Sequence, residues 1–159
     1  MKTPLWTPTP ERVEAANMTR FRRAVNERYG LKLDEWEELR TWSVENIADF
    51  WALFWDFAEI RAARPFEEVV DDPKKMPGAR WFKGARLNFA ENLLRRRDVG
   101  IALVSYGEDG SSRRWTWEHL YDEVSRLSRA MAAAGIVAGD KVAGYMPNIG
   151  ETVIGMLAA

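Results

Sequence analysis

Apolar positions recur at spacings of three and four through residues 18–58, a rhythm that predicts helices. Thr9 as N-cap, with Pro10 at the first helical position, opens the first of them. Met18, Phe21, Val25 and Tyr29 form its buried face, and Gly30 closes it as a left-handed C-terminal cap. The preceding residues 1–9, rich in Pro and Thr, are expected to lie extended over the surface. Asp34 with Glu37 makes a capping box for a short helix carrying Trp36 and Leu39. Ser43 opens the next helix, with Trp42 stapled onto Ile47. Along it Ile47, Phe50, Trp51, Phe54 and Ala58 form a stripe that Trp55 and Phe57 widen.

After these helices the pattern changes. Pro65 to Val70 reads as a short strand and Asp71 to Gly78 as a loop. In the stretch from Trp81 to Leu94, Trp81 and Phe82 are apolar anchors, and Gly84 permits a turn. Asn88 and Glu91 then form a capping box for a short helix that buries Leu93 and Leu94. Ile101 to Tyr106 reads as a buried strand, Gly107 to Gly110 as a turn, and Arg113 to Trp117 as its antiparallel partner. Thr116 caps a helix with Trp115 stapled onto Leu120; Leu120, Val124, Leu127, Met131 and Ala134 face inward, and Gly135 ends it. Gly139-Asp140 turns the chain into a strand from Lys141 to Met146, Pro147 stops it, and Asn148 with Glu151 caps a last helix. The expected fold class is therefore α/β: a helical N-terminal region, residues 1–94, followed by the truncated beginning of an α/β domain, residues 95–159. One hairpin and one crossover cannot cover both faces of a parallel sheet. Val153, Ile154, Met156 and Leu157 are left without an obvious partner, so the chain is expected to be the N-terminal piece of a larger protein.

Composition removes several functional classes. The chain has 159 residues, 47% apolar and 30% charged, which excludes a disordered polypeptide. Its 23 basic and 24 acidic residues nearly cancel, giving no general attraction to nucleic acid or an anionic membrane. The absence of cysteine excludes disulfides, thiolate zinc sites and a cysteine nucleophile, and fits a cytoplasmic location. No apolar signal region follows Met1, and no apolar run is long enough to span a membrane. The stripe on residues 47–58 could also lie on a membrane surface, but Asp49, Asp56 and Glu59 are the wrong charges for that role. Burial is the better reading, because each enclosed Phe or Trp contributes roughly 1.5–3 kcal/mol.

Candidate chemistry is sparse. His119, the sole histidine, has no oriented nucleophile at a recognisable spacing, and neither a Gly-x-Ser-x-Gly elbow nor a Walker loop is present. Glu67-Glu68 and Asp71-Asp72 alternate faces on an extended chain and read as solvated pairs. Arg95, Arg96 and Arg97 read as the cationic last turn of a short helix. Met146 to Asn148, at the end of the expected strand, could border a cleft. No catalytic, cofactor-binding or metal-binding residue is assigned.

Two segments carry a family resemblance. Trp81-Phe-Lys-Gly-Ala-Arg-Leu-Asn-Phe-Ala-Glu-Asn-Leu-Leu94 resembles the junction between the helical region and the adenylate-forming domain in acyl-CoA synthetases of the acetyl-/acetoacetyl-CoA synthetase type. Its Ala-Glu-Asn-Leu-Leu ending is most similar to the acetoacetate–CoA ligase branch, although Lys83 and Phe89 stand where that pattern has Pro and often Tyr. Gly135 to Glu151 resembles the Gly-Asp-Lys/Arg-Val … Pro-Asn … Glu segment of the whole AMP-binding superfamily, and Arg114-Trp-Thr-Trp117 with Leu120 is similar to the entry before it. The resemblance implies a ligase that converts acetoacetate, ATP and CoA into acetoacetyl-CoA, AMP and pyrophosphate through an acyl-adenylate, with Mg²⁺ assisting. It also implies that the phosphate loop, the nucleotide pocket and a catalytic lysine lie beyond residue 159. The fragment itself is then expected to be inactive and to bind none of these cofactors, its partner being the missing remainder of the AMP-binding domain. Acetate or propionate is the alternative substrate. A non-catalytic docking module using the Trp51/Phe54 face is the alternative of a different class.

Overall fold

The computed structural model describes residues 5–159 and divides into two compact units, residues 1–87 and 88–159. The expected surface course of residues 1–9 is met by exposed residues at 5–9; positions 1–4 lie outside the described residues.

The first unit begins with α1, Pro10–Glu14, where the Thr9 side chain accepts from the Arg12 N–H. A break at Ala15-Ala16 separates α1 from α2, Asn17–Tyr29, so the single expected helix is two. Gly30 caps α2 with φ 66°, a conformation open to glycine without steric cost. Phe21 and Val25 are buried and Tyr29 partly so, whereas Met18 is exposed on the first turn of α2 at the rim of an open cleft.

Helix α3, Trp36–Glu45, starts one residue later than expected: Glu35 and Glu38, rather than Asp34 and Glu37, make the capping box. The shift has a long-range cause. Asn26 of α2 exchanges two hydrogen bonds with the Leu33 backbone (2.9 and 3.0 Å), and the Arg22 guanidinium donates to the carbonyls of Leu33 and Asp34. Those contacts hold Asp34 in the connection. Ser43 does not open a helix; its hydroxyl donates to the Arg40 carbonyl at 2.7 Å, and α3 runs past it. The interruption falls instead at Asn46, which satisfies the Trp42 carbonyl from both its backbone and its side chain before α4, Ile47–Phe57, begins.

Aromatic rings fill the space between these helices. Phe21 meets Phe50, Phe54 and Phe57 edge-on at 5.4, 5.8 and 5.1 Å, geometry favoured by the ring quadrupoles. From another face of α4, Trp55 contacts Phe66 and Phe82, while Trp51 contacts Trp81 and Phe82. Phe66 precedes β1, Glu68–Val70, which pairs antiparallel with β2, Trp81–Lys83. Phe82 has φ 46°, a backbone state costing on the order of 1–3 kcal/mol in a residue with a β-carbon. Its contacts with Trp55 and Phe66 (4.9 and 5.4 Å) hold it there. Gly84 follows with φ 85° and makes the expected turn.

In the second unit, α5, Phe89–Leu93, is capped by Asn88, whose Oδ1 accepts from the Glu91 N–H at 2.8 Å. Leu94 is buried, but Leu93 is exposed. Strands β3, Ile101–Tyr106, and β4, Ser112–Thr116, form the expected hairpin, with a register irregularity between Ile101 and Leu103. β3 is half-buried rather than buried: Ile101 and Tyr106 face outward because the hairpin is covered on one side. Helix α6, Trp117–Ala133, begins under the Thr116 side chain, which accepts from the His119 N–H. Leu120 and Val124 are buried and Leu127 and Met131 join them, whereas Ala134 is exposed at the cap.

Residues 141–146 form no strand. The sheets among the described residues are the two hairpins alone, and the segment is exposed, with Val142, Ala143, Gly144 and Met146 lining an open cleft beside α6 and α7, Gly150–Ala158. A strand exists through its ladder, and Gly144 weakens what local preference the segment has. The cap expected from Asn148 and Glu151 is also absent. Ile149 occupies the N-cap without a side-chain hydrogen bond, and the Thr152 hydroxyl donates to the Pro147 carbonyl at 2.7 Å.

Trp115, only 2% exposed, sits at the centre of this core with Leu94, Leu120, Val124, Ile154 and Leu157. Its ring lies against the backbone of Gly150, so closely that a β-carbon there would approach three ring carbons to under 3.0 Å. Gly150→Ala is therefore expected to lower stability by about 1–3 kcal/mol through overpacking. Gly155→Ala, where the added methyl meets open space, should leave stability unchanged or raise it by up to about 1 kcal/mol through helix propensity. Urea unfolding followed by circular dichroism distinguishes the two.

Candidate functional site

The concave surfaces belong to separate units. In the first, α2, α3 and α4 enclose an open cleft of about 460 Å³, floored by Phe21 and Leu39 and flanked by Trp36 and Phe54. Its polar residues, Asn17, Arg40 and Ser43, offer little. Arg40 is paired with Glu37, and Ser43 donates to a backbone carbonyl. In the second unit a cleft of about 760 Å³ lies among α6, residues 142–146 and α7. Met131, Met146, Ile154 and Met156 give it apolar walls, and Glu123, Arg126, Glu151 and Thr152 supply polar groups.

Those polar groups already have partners. Glu123 accepts from Arg126 and lies 3.3 Å from His119 Nε2, while Glu151 pairs with Arg113 from β4. The Arg126 guanidinium holds the Glu123 carboxyl below the usual glutamate range, so it stays ionised at neutral pH. His119 thus faces a carboxylate on the surface of α6, one turn along the same helix. Among the described residues no serine or threonine is shown hydrogen-bonded to its ring, so the arrangement described lacks the nucleophile that a histidine base would serve. Among the described residues, no group of three or more His, Asp or Glu side chains converges as metal ligands.

The arginine run has a structural occupation. α5 ends at Leu93, so Arg95, Arg96 and Arg97 follow the helix rather than forming its last turn. Arg96 pairs with Asp98 at 2.8 Å and stacks over Trp117 at 5.3 Å from the ring centre. Arg97 covers the Tyr121 ring at 3.4 Å. Asp98 also accepts from the Gly100 N–H, so this cluster ties the entry of β3 to the start of α6. The aromatic partners Trp117 and Tyr121 lie four residues apart on one helix face, a spacing that could have pointed to the stacking.

Of the carboxylate pairs, Glu67 and Glu68 bind Arg64 and Lys83 at the surface. Asp71 behaves differently. One of its oxygens accepts from the backbone N–H groups of Arg80 and Asp72 at 2.8 Å each, and the other accepts from the Arg80 guanidinium at 3.2 Å. These bonds hold its carboxyl down to about 2, with the Arg80 N–H the largest cause. Perturbed acids often mark reactive sites, but these partners clamp the two ends of the 71–80 loop. The Trp51/Phe54 stripe is engaged within its own unit; the two side chains retain 37% and 38% exposure while touching Phe50, Trp81 and Phe21. Met146 lines the second cleft but Pro147 and Asn148 do not, and the strand whose end they are expected to mark does not form.

Comparison with known proteins accounts for both units. Residues 36–93 match the family described as acetyl-coenzyme A synthetase N-terminus, and residues 90–159 match the family described as AMP-binding enzyme. The chain is 43% identical over 155 residues to the acetoacetyl-coenzyme A synthetase of Rhizobium meliloti, covering 98% of this chain and 24% of that protein. It is 40% identical to the acetoacetyl-CoA synthetase of Gallus gallus, covering 98% and 23%, and 39% identical to a malonamoyl-CoA synthetase of Penicillium aethiopicum, covering 91% and 21%. It also superposes on the solved structure of acetoacetyl-CoA synthetase from Streptomyces lividans with a TM-score of 0.85 and 36% identity, covering 99% of this chain and 25% of that one. The chain therefore spans about a quarter of the length of the curated relatives it matches. No described helix is long and apolar enough to cross a membrane.

For Asp71 the sign of the pH dependence follows from its depressed value. The clamp contributes fully above the ordinary aspartate range near 3.8 and is lost as pH falls through about 2. Carbon-detected NMR should show the Asp71 carboxyl titrating near 2, and Asp71→Asn should speed amide exchange at Arg80.

Proposed function

We infer that this chain, a homologue of the acetoacetyl-CoA synthetases along nearly its whole length, supplies the N-terminal part of an ATP-dependent acid–CoA ligase. The reaction is acetoacetate, ATP and CoA to acetoacetyl-CoA, AMP and pyrophosphate, through an acyl-adenylate. The observation that carries this reading is the collinear match of both family segments, at about 40% identity across both units. Residues 1–94 correspond to the helical N-terminal region, and residues 95–159 to the start of the AMP-binding domain.

Arg96, Arg113 and Arg126 pair with Asp98, Glu151 and Glu123, and ATP, CoA and Mg²⁺ are the groups that the whole ligase would use. These groups would be held by polypeptide outside the present 159 residues, and the part described here supplies scaffold. Acetoacetate is favoured over acetate or propionate by the names of the relatives. The malonamoyl-CoA synthetase among them fits the same preference, since both acids carry a carbonyl two carbons from the carboxylate. The working compartment is the cytoplasm, in keeping with a cysteine-free chain.

The reading is tested by a chimera in which residues 1–159 replace the matching quarter of the Rhizobium meliloti enzyme. The chimera should form acetoacetyl-CoA, with acetoacetate preferred to acetate. A folded chimera that releases AMP from neither acid would overturn the assignment.

A further inference from the structure

We draw no further inference here: the strongest candidate, the open apolar cleft among α2, α3 and α4 that is floored by Phe21 and Leu39, carries nothing because no feature of the structure shows what covers it.

Discussion

Trp115 closes the second core from the hairpin side, and its ring lies where a β-carbon at position 150 would stand. That contact joins β4 to the first turn of α7, elements 35 residues apart, and it fixes the depth at which Ile154 and Leu157 enter the core. Leu120 and Val124 of α6 complete the enclosure. The indole offers a large apolar area and the glycine offers bare backbone, so the pair achieves a closeness that no other residue at 150 permits without movement. Arg113, two residues before Trp115, stacks over its ring and pairs with Glu151, one residue past Gly150, so polar groups reinforce the same junction from outside.

The first unit reaches a similar end with different means. It has a small fully buried set, Phe21, Val25 and Leu39, surrounded by rings that are only partly enclosed. Helix α4 buries no residue completely, yet its aromatics contact α2 on one side and the β1–β2 hairpin on another. The left-handed backbone at Phe82 belongs to this arrangement: packing around the ring offsets the local cost. Both units are therefore held by apolar packing, and their ion pairs are mostly exposed, where each contributes little.

What could be read from the sequence was whatever depends on nearby residues. The caps at Thr9, Asn88 and Thr116 need partners three residues away, and the left-handed turns at Gly30 and Gly84 need only the glycine itself. The hairpin of β3 and β4 is legible because an apolar run at 101–106 and a second strand-like run flank a short Gly-bounded turn. Some differences come from a distant contact that overrides a local preference, and others from a missing one. Asn26 and Arg22 reach across to hold Asp34 out of α3. The β1–β2 pairing joins residues separated by the 71–80 loop, which no local periodicity announces. Residues 141–146 have strand character but no ladder among the described residues. At the candidate site, the i, i+4 spacing of Trp117 and Tyr121 is a local signal for the arginine stacking, whereas the Arg113–Glu151 pair joins residues far apart in the chain and arises only on folding.

The central claim is that these two packed units are scaffold and that the ligation chemistry resides in polypeptide beyond them. Carboxylate-dependent exchange of labelled pyrophosphate into ATP, assayed with the purified 159-residue chain and acetoacetate, tests this most directly. The account predicts no exchange above a blank lacking acetoacetate. Saturable, acetoacetate-dependent exchange by this chain alone would contradict it.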